Sequence, residues 1–409
     1  MNGMGIDQIE QRIRACDYLS VAQLYLQSNF LLERPLRHSD IKPRLLGHWG
    51  TCHGINVTYA NLAAFFSQFA AEDDLAQISS AISNNKPAPV THSFENFSFI
   101  LGPGHGFPAL QANLFLDGQL YPASAADAAQ FAPAPTFDAA QFIPDSIADA
   151  ERSTPSGRLP LTAAGLAYLC KNFSWPDGFP SHASPFTPGV ICEGGELGYA
   201  LANAYGAALG HPEKTIAVLI GDGELETATA LASLNLKSLL NSPKNGRVLP
   251  ILHLNGYKIS APTIYARKSE RELNQLLRGF GFTPIIIDGD SPEVFQAALD
   301  SAFDLDGELE NPAQPPFFIL KTAKGATGPN RYHESHQIPL KNPRTDAAEL
   351  ELLEEWLRSY AIDEIPIFDT MRTTENSSTQ TQEWNENPST QPQEWSENSS
   401  TQTMKGAEK

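Results

Sequence analysis

Short apolar runs alternate with helical patterns through the middle of the chain. The first run begins at residue 97, and the other four cover residues 216–220, 248–254, 283–289 and 316–322. Between the second and third runs, Leu231, Leu234 and Leu239 recur near helical spacing, as in two parallel strands joined by a crossover helix. The alternation predicts an α/β fold, a doubly wound parallel sheet with helices on both faces.

Local signals mark where several helices begin and end. Ser269 and Glu272 form a capping-box pattern with Gly279 as the stop, and Ser291 followed by Pro292 opens another helix. Helices are also expected within residues 1–35, near 59–69, over 161–173, after the glycine pair 194–195, and over 347–360.

Two segments lack the pattern of a packed core. Residues 122–160 are rich in Ala, Pro, Asp and Ser, which predicts an insertion or mobile loop inside a domain of residues 1–370. Residues 371–409 form a polar tail that repeats every 11 residues, and we expect it to be disordered. Trp384 and Trp395 recur in it, so the tail is either a docking tether or a neutral repeat expansion.

Composition excludes several classes of protein. A formal charge of −19 over 409 residues argues against a nucleic-acid-binding surface. The four cysteines form no CxxC pair, which argues against a disulfide framework or a zinc knuckle. No apolar run reaches the roughly 20 residues that span a bilayer, and the first twenty residues do not read as a signal peptide. We therefore expect a cytoplasmic protein with no membrane contact.

Polar residues follow two of the predicted strands. Asp222, in the turn Gly221-Asp222-Gly223, follows the run 216–220, and Asn255 follows the run 248–254. The carboxyl ends of parallel strands share one rim of a sheet, where ligands bind. The turn lacks the third glycine of the dinucleotide fingerprint, which disfavours that type of site. A carboxylate and an amide oxygen at adjacent strand ends instead suit Mg²⁺ that also holds a diphosphate.

Histidines lie in several glycine-rich or proline-rich loops. His48, Cys52 and His53 fall within the segment 45–54, and we favour buried loop histidines there over a metal site, because structural zinc usually has four ligands in paired spacing. His105 follows the run that begins at residue 97, and His182 lies in a proline-rich loop.

A string of motifs resembles one enzyme family. HWGTC, GPGHG, PSH, TPG, EGGELGYAL, GDGE, VLPILHLNGYKI, RGFGF, AKG and SHQIPL occur in that order between about residues 17 and 360, outside 122–160. In that order they resemble the amino-terminal half of phosphoketolases, which use thiamine diphosphate and phosphate to cleave xylulose 5-phosphate or fructose 6-phosphate to acetyl phosphate.

The resemblance implies roles for particular residues. It implies Mg²⁺ ligands at Asp222, Asn255 and the Tyr257 carbonyl, and contacts to the diphosphate region from Gly195, Gly223 and Glu224. It also implies a set of residues that reach the thiazolium and the sugar, orient hydroxyls and shuttle protons: His48, His105, His182, Lys324 and His336.

The chain also departs from the family pattern. His53 stands where the family has proline, Cys192 where it has histidine and Ala326 where it has tryptophan, and GDGELETAT replaces GDGEAETGP. The family's pyrimidine-binding and carboxyl-terminal domains, with the glutamate that activates the cofactor, have no counterpart among these residues. We therefore expect the chain to be inactive alone.

Three interpretations follow from the resemblance. In the first, the chain supplies the diphosphate half-site of a split enzyme that acts on a sugar phosphate, and it pairs with a pyrimidine-domain chain in an oligomer. In the second, it is a non-catalytic paralogue that binds and regulates a full-length phosphoketolase. The third, another thiamine enzyme or a nucleotide-binding protein, is disfavoured by the string of matched motifs.

Overall fold

A parallel β-sheet forms the centre of the molecule. The computed structural model describes residues 4–68, 97–123, 158–240, 244–303 and 313–376, apart from 186, 188–189 and 192–193. Its five strands are β1 (Phe97–Leu101), β2 (Thr215–Gly221), β3 (Arg247–Leu254), β4 (Thr283–Asp288) and β5 (Pro316–Lys321). They pair in the order β1-β2-β3-β5-β4, and every pairing is parallel. The predicted parallel sheet is confirmed.

Helices precede, separate and follow the strands. They are α1 (Ile6–Tyr25), α2 (Cys52–Ser67), α3 (Phe107–Leu116), α4 (Ala163–Asn172), α5 (Ala200–Gly210), α6 (Ala228–Ser233), α7 (Glu270–Gly279), α8 (Pro292–Asp300), α9 (Ala347–Arg358) and α10 (Pro366–Asn376). Among the residues described, no helix is both long and apolar enough to cross a membrane.

Successive strand residues face two separate cores. On β2, Ala217 and Leu219 join a core with α1, α2, α3 and α8, whereas Ile216 and Val218 join a second core with α5 and α7. This alternation follows from the two-residue period of a strand, and burial of both faces explains why β2 is apolar throughout. The predicted class, with helices on both faces of the sheet, is therefore confirmed.

Several local predictions are confirmed in atomic detail. The Ser269 hydroxyl accepts the Glu272 N–H, and the Glu272 carboxylate accepts the Ser269 N–H, which completes the capping box of α7. Ser291 caps α8, and Pro292 occupies its first turn. The helix predicted over 347–360 is present as α9, and its Leu353 is fully buried, with an exposed fraction of 0%.

Other local predictions need correction. The crossover segment after β2 is helical only over α6 and then tightens into a 3₁₀ helix, Leu234–Leu239, so Leu231 and Leu239 are exposed while Leu234 is buried. Helix α7 does end at Gly279 as predicted, and the residue in the left-handed conformation beyond it is Gly281, with φ +81°.

The expected boundary of the tail lies inside a helix. Met371 is fully buried in α10, which continues to Asn376. The rest of the tail, with Trp384 and Trp395, and residues 124–157 of the expected insertion lie outside the described residues.

Candidate functional site

The carboxyl ends of β2, β3 and β5 bring three loops together at one rim. The Asp222 N–H donates to the His253 carbonyl at 3.2 Å, which joins the ends of β2 and β3. The Lys324 N–H donates to the Asn255 carbonyl at 3.3 Å, which joins the loop after β5 to the loop after β3. The polar residues that follow three neighbouring strands therefore lie in one region.

The Asp222 carboxylate is buried and accepts three hydrogen bonds. Its Oδ2 accepts the Gly256 N–H at 2.8 Å and the Thr263 hydroxyl at 3.0 Å, and its Oδ1 accepts the Gly223 N–H at 2.9 Å. Burial raises the pKa of Asp222, and these hydrogen bonds oppose that rise. Thr263 had no role in the sequence analysis, because its contact with Asp222 spans 41 positions of the chain.

The turn after β3 adds two neutral oxygen atoms beside this carboxylate. The Asn255 Oδ1 accepts the Tyr257 N–H at 3.1 Å, and the Tyr257 carbonyl accepts a hydrogen bond from Lys324 Nζ at 3.0 Å. A carboxylate, an amide oxygen and a carbonyl oxygen are the hard donors that Mg²⁺ prefers. The chemistry of this donor set therefore fits the metal that the resemblance implies.

Four imidazole rings meet next to this turn, and we call them the imidazole cluster: His48, His105, His182 and His336. The ring of His48 lies 5.1 Å from His105, 5.3 Å from His182 and 5.0 Å from His336, measured between ring centroids. These residues come from four separate segments of the chain, and the structure brings together all four histidines that the resemblance implies.

Three rings of the imidazole cluster, those of His48, His105 and His336, favour their neutral form. Burial, followed by the charges of the neighbouring rings and Lys324, lowers the pKa of His48 to about 4. Burial and then Lys324 lower the pKa of His336 to about 4, and burial lowers that of His105 as well. The Nδ1 of His48 is buried with no hydrogen-bond partner among the described residues. Neutral imidazoles both donate and accept hydrogen bonds, so the cluster suits a ligand with several hydroxyl groups.

Lys324 connects the imidazole cluster to the Asp222 turn. Its Nζ lies 3.1 Å from Nδ1 of His336 and also donates to the carbonyls of Tyr257 and Lys258, the latter at 3.3 Å. Burial lowers the pKa of Lys324 to about 8, although Asp222 acts in the opposite direction. The amine is thus a cation at neutral pH and the positive group of the site.

The glycines and Glu224 shape the backbone around the rim. The Glu224 carboxylate accepts the Gly198 N–H at 3.1 Å and the Gly221 N–H at 3.2 Å, and burial raises its pKa to about 7. Glu224 therefore joins the end of β2 to the loop before α5. Gly195 lies in a turn five residues before α5 rather than at the helix end, and a Cβ built on it meets no atom within 4 Å.

Gly104 and Gly223 have closer neighbours. A Cβ on Gly223 would lie 3.1 Å from the Cβ of Lys258. A Cβ on Gly104 would lie 2.2 Å from the Cα of Gly194, so the loop after β1 and the loop before α5 touch through their backbones. Small residues therefore allow the two loops to lie side by side at the rim.

His48, Cys52 and His53 do not form a metal site. The Cys52 Sγ donates to the His48 carbonyl at 3.1 Å. His53 lies in the first turn of α2 and faces away, with Nδ1 2.7 Å from Asp17 Oδ2 and Nε2 3.0 Å from Asp290 Oδ2. The favoured interpretation was right in that His53 is buried, but it lies in a helix and not in a loop.

The family model described as "XFP N-terminal domain" matches residues 2–75 and 127–388. A "Probable phosphoketolase" of Rhodopseudomonas palustris (strain HaA2) is 40% identical over 377 residues, which cover 86% of this chain and 40% of that relative. A "Probable phosphoketolase" of Brucella suis biovar 1 (strain 1330) is 38% identical over 379 residues, which cover 87% and 40%. The chain thus spans about 40% of the length of these curated relatives.

Solved structures are similar in fold. A transketolase from Campylobacter jejuni superposes with a TM-score of 0.52 at 16% identity and covers 90% of this chain and 48% of that one. A transketolase mutant from Pichia stipitis gives a TM-score of 0.51 at 15% identity and covers 90% and 46%. At these identities the likeness concerns the fold alone.

Proposed function

The chain belongs to the phosphoketolase family through its match to the family's N-terminal domain, and from this premise we propose that its rim binds thiamine diphosphate with Mg²⁺. In this proposal the chain supplies the diphosphate half of an active site that cleaves a ketose phosphate to acetyl phosphate. One observation carries the proposal: an oxygen donor set, four imidazoles and one lysine meet at the carboxyl ends of three neighbouring parallel strands.

Asp222, Asn255 and the Tyr257 carbonyl would hold the metal. The hydrogen bonds from Gly256, Gly223 and Thr263 fix the Asp222 carboxylate before any ligand arrives. A carboxylate that is already oriented loses little conformational entropy when it coordinates a metal. Gly195 would let the diphosphate approach the backbone, because no atom lies within 4 Å of its hypothetical Cβ.

Thiamine diphosphate, when bound, supplies the carbanion chemistry that breaks a carbon–carbon bond next to a carbonyl group. The imidazole cluster would bind and orient the hydroxyls of a sugar phosphate. The neutral rings of His48 and His336 suit this role, since each ring offers one donor and one acceptor. Lys324 would hold a proton at Nζ next to His336 Nδ1, and the two groups would exchange that proton during turnover.

Turnover would also need residues outside this chain. In this proposal, the acid–base glutamate that activates the cofactor and most of the sugar-phosphate contacts come from a pyrimidine-binding domain. That domain belongs to the remainder of the same protein or to a partner chain. The rim described above would then face the complementary half in an oligomer.

Calorimetric titration of the 409-residue chain with thiamine diphosphate, with and without Mg²⁺, tests the proposal. We expect Mg²⁺-dependent binding by the wild-type chain and at least a tenfold loss in D222A, since about 10- to 100-fold is typical for groups that hold or support a metal. D300A is the matched control, because Asp300 is an exposed aspartate at the end of α8. An unchanged affinity in folded D222A would contradict the metal assignment.

A further inference from the structure

The His53 ring lies between two carboxylates inside the protein. Its two nitrogens face Asp17 and Asp290 at 2.7 and 3.0 Å, and the side chain is 5% exposed. Because both nitrogens face acceptors, both must donate, which requires the imidazolium form. Burial alone lowers the pKa of His53, but the charges and hydrogen bonds of Asp17 and Asp290 outweigh it and raise the pKa to about 10.

Asp17 extends this contact into a network that joins four parts of the fold. Its Oδ1 accepts the Asn56 side-chain N–H at 2.8 Å, and its Oδ2 lies 3.4 Å from the Thr327 hydroxyl. We call His53, Asp17, Asp290, Asn56 and Thr327 the His53 network. It links α1, α2, the loop after β4 and the loop after β5. None of its members belongs to the imidazole cluster.

The His53 network lies next to the loops that carry the imidazole cluster. His53 is the second residue of α2, and the segment just before α2 carries His48. That segment binds the loop after β5, because the Gly325 N–H donates to the Gly50 carbonyl at 2.8 Å and the Trp49 N–H donates to the Gln337 carbonyl at 3.2 Å.

Thr327 lies in this same loop after β5, between Lys324 and His336. Its backbone has φ +64°, which is unfavourable for threonine. The contact to Asp17 and a 3.0 Å contact between the hydroxyls of Thr327 and Tyr360 hold it there. Two of the loops that meet at the imidazole cluster, those of His48 and His336, are therefore attached to Asp17, one through His53 and one through Thr327.

Titratable and charged groups lie near His53 on several elements of the fold. Asp17 faces it from α1 and Asp290 from the loop after β4, while Arg331 acts on Asp290. His253 on β3 is neutral, because burial and then the His53 charge lower its pKa to about 3. One imidazolium thus lies between two carboxylates, with no second positive ring beside it.

We infer that His53 is a positioning residue: its imidazolium, held between Asp17 and Asp290, sets the loop that carries His48 against the loop that carries Lys324 and His336. Loss of that charge leaves Asp17 buried without its cation and removes the ion pair that attaches the first turn of α2 to Asp17, the residue that also contacts Thr327. The distances within the imidazole cluster then change. The consequence for cofactor binding rests on the proposed function.

Variants of the full chain test this inference at pH 7. Histidine ring NMR signals report the imidazole cluster directly, with H48Q and H336Q used for assignment. We expect H53Q to shift the ring signals of His48 and His336 and to weaken Mg²⁺-dependent thiamine diphosphate binding about tenfold. We expect D290N to shift the same ring signals and to weaken binding by a smaller factor, because the contact of His53 with Asp17 remains. H211Q is the matched control, since it removes an exposed contact to Glu213.

The outcomes separate the inference from the proposed function. If H53Q lowers the melting temperature but leaves the ring signals and the affinity at wild-type values, His53 supports the fold only and the inference is wrong. If the wild-type chain binds no thiamine diphosphate, the proposed function fails, while the ring signals still decide the positioning role. If H53Q does not fold, the D290N variant tests the inference instead. The Asp290 side chain is 58% exposed, and its replacement leaves the buried His53 paired with Asp17.

Discussion

The buried imidazolium of His53 should make the stability of the chain fall as pH rises above neutrality. Its pKa is about 10 in the folded chain, against 6.5 for an ordinary histidine. At about 1.36 kcal/mol for each pKa unit, the difference corresponds to roughly 5 kcal/mol as an upper limit. The exposed Asp290 lowers this figure, because solvent screens its share of the interaction.

The sign follows from the direction of the shift. Since folding raises the pKa, the contribution is fully present below pH 6.5 and is lost as pH rises through about 10. We therefore expect the difference in unfolding free energy between wild type and H53Q to shrink by about 1 kcal/mol between pH 7 and 8, and to continue shrinking towards pH 10. Urea denaturation followed by circular dichroism measures this difference.

The difference in unfolding free energy between wild type and H53Q excludes the contributions of groups that titrate in both proteins. Burial lowers the pKa values of Lys42 and Lys324 to about 8, and these groups stabilise the fold as pH rises, opposite to His53. They are present in both proteins and cancel. H211Q should follow wild type at every pH. A wild-type minus H53Q difference that stays constant from pH 7 to 9 would refute the charged state assigned to His53.

Two further predictions concern the rim. The pKa values of His48, His105, His253 and His336 are lowered in the folded chain, so unfolding takes up protons below pH 6.5, and the unfolding free energy should fall from pH 6.5 towards pH 4. The raised pKa values of Glu224 and Asp222 act in the opposite direction but involve two groups against four, and a flat profile in urea denaturation would contradict the neutral rings. G104A should lower the unfolding free energy by about 2 kcal/mol and weaken thiamine diphosphate binding, because its Cβ would meet the backbone of Gly194. G206A, a helical glycine with open space around it, should be neutral or stabilising in the same denaturation experiment.

The fold could be predicted where the signal is local. A strand buried on both faces needs apolar residues throughout, and a capped helix needs a hydroxyl and a carboxylate three residues apart, so β2 and the start of α7 are recognisable from the sequence. The crossover segment could not be predicted as well. Leucine spacing indicated one helix, but the chain tightens into a 3₁₀ helix after Ser233 and leaves Leu239 exposed.

The sequence predicts which residues meet at the rim, but not the residues that hold them in place. Asp222 and Asn255 follow strands, and strand ends meet at one rim whatever the detailed packing. The partners of His53 lie 36 and 237 positions away in the sequence, and no local pattern connects them. For the same reason Thr263 had no assigned role before its hydroxyl was seen to donate to Asp222.

The strand order affects how the chain folds during synthesis. β5 is the last of the described strands along the sequence, yet it lies between β3 and β4 and is bonded to both. β4 therefore has no partner among the described strands until residues 316–321 have left the ribosome, and the edges of β3 and β4 that β5 covers stay open until then. Open strand edges favour misassociation, and late insertion of an interior strand slows folding. Lys324 and His336 follow this strand, so the rim can form only after the sheet is complete.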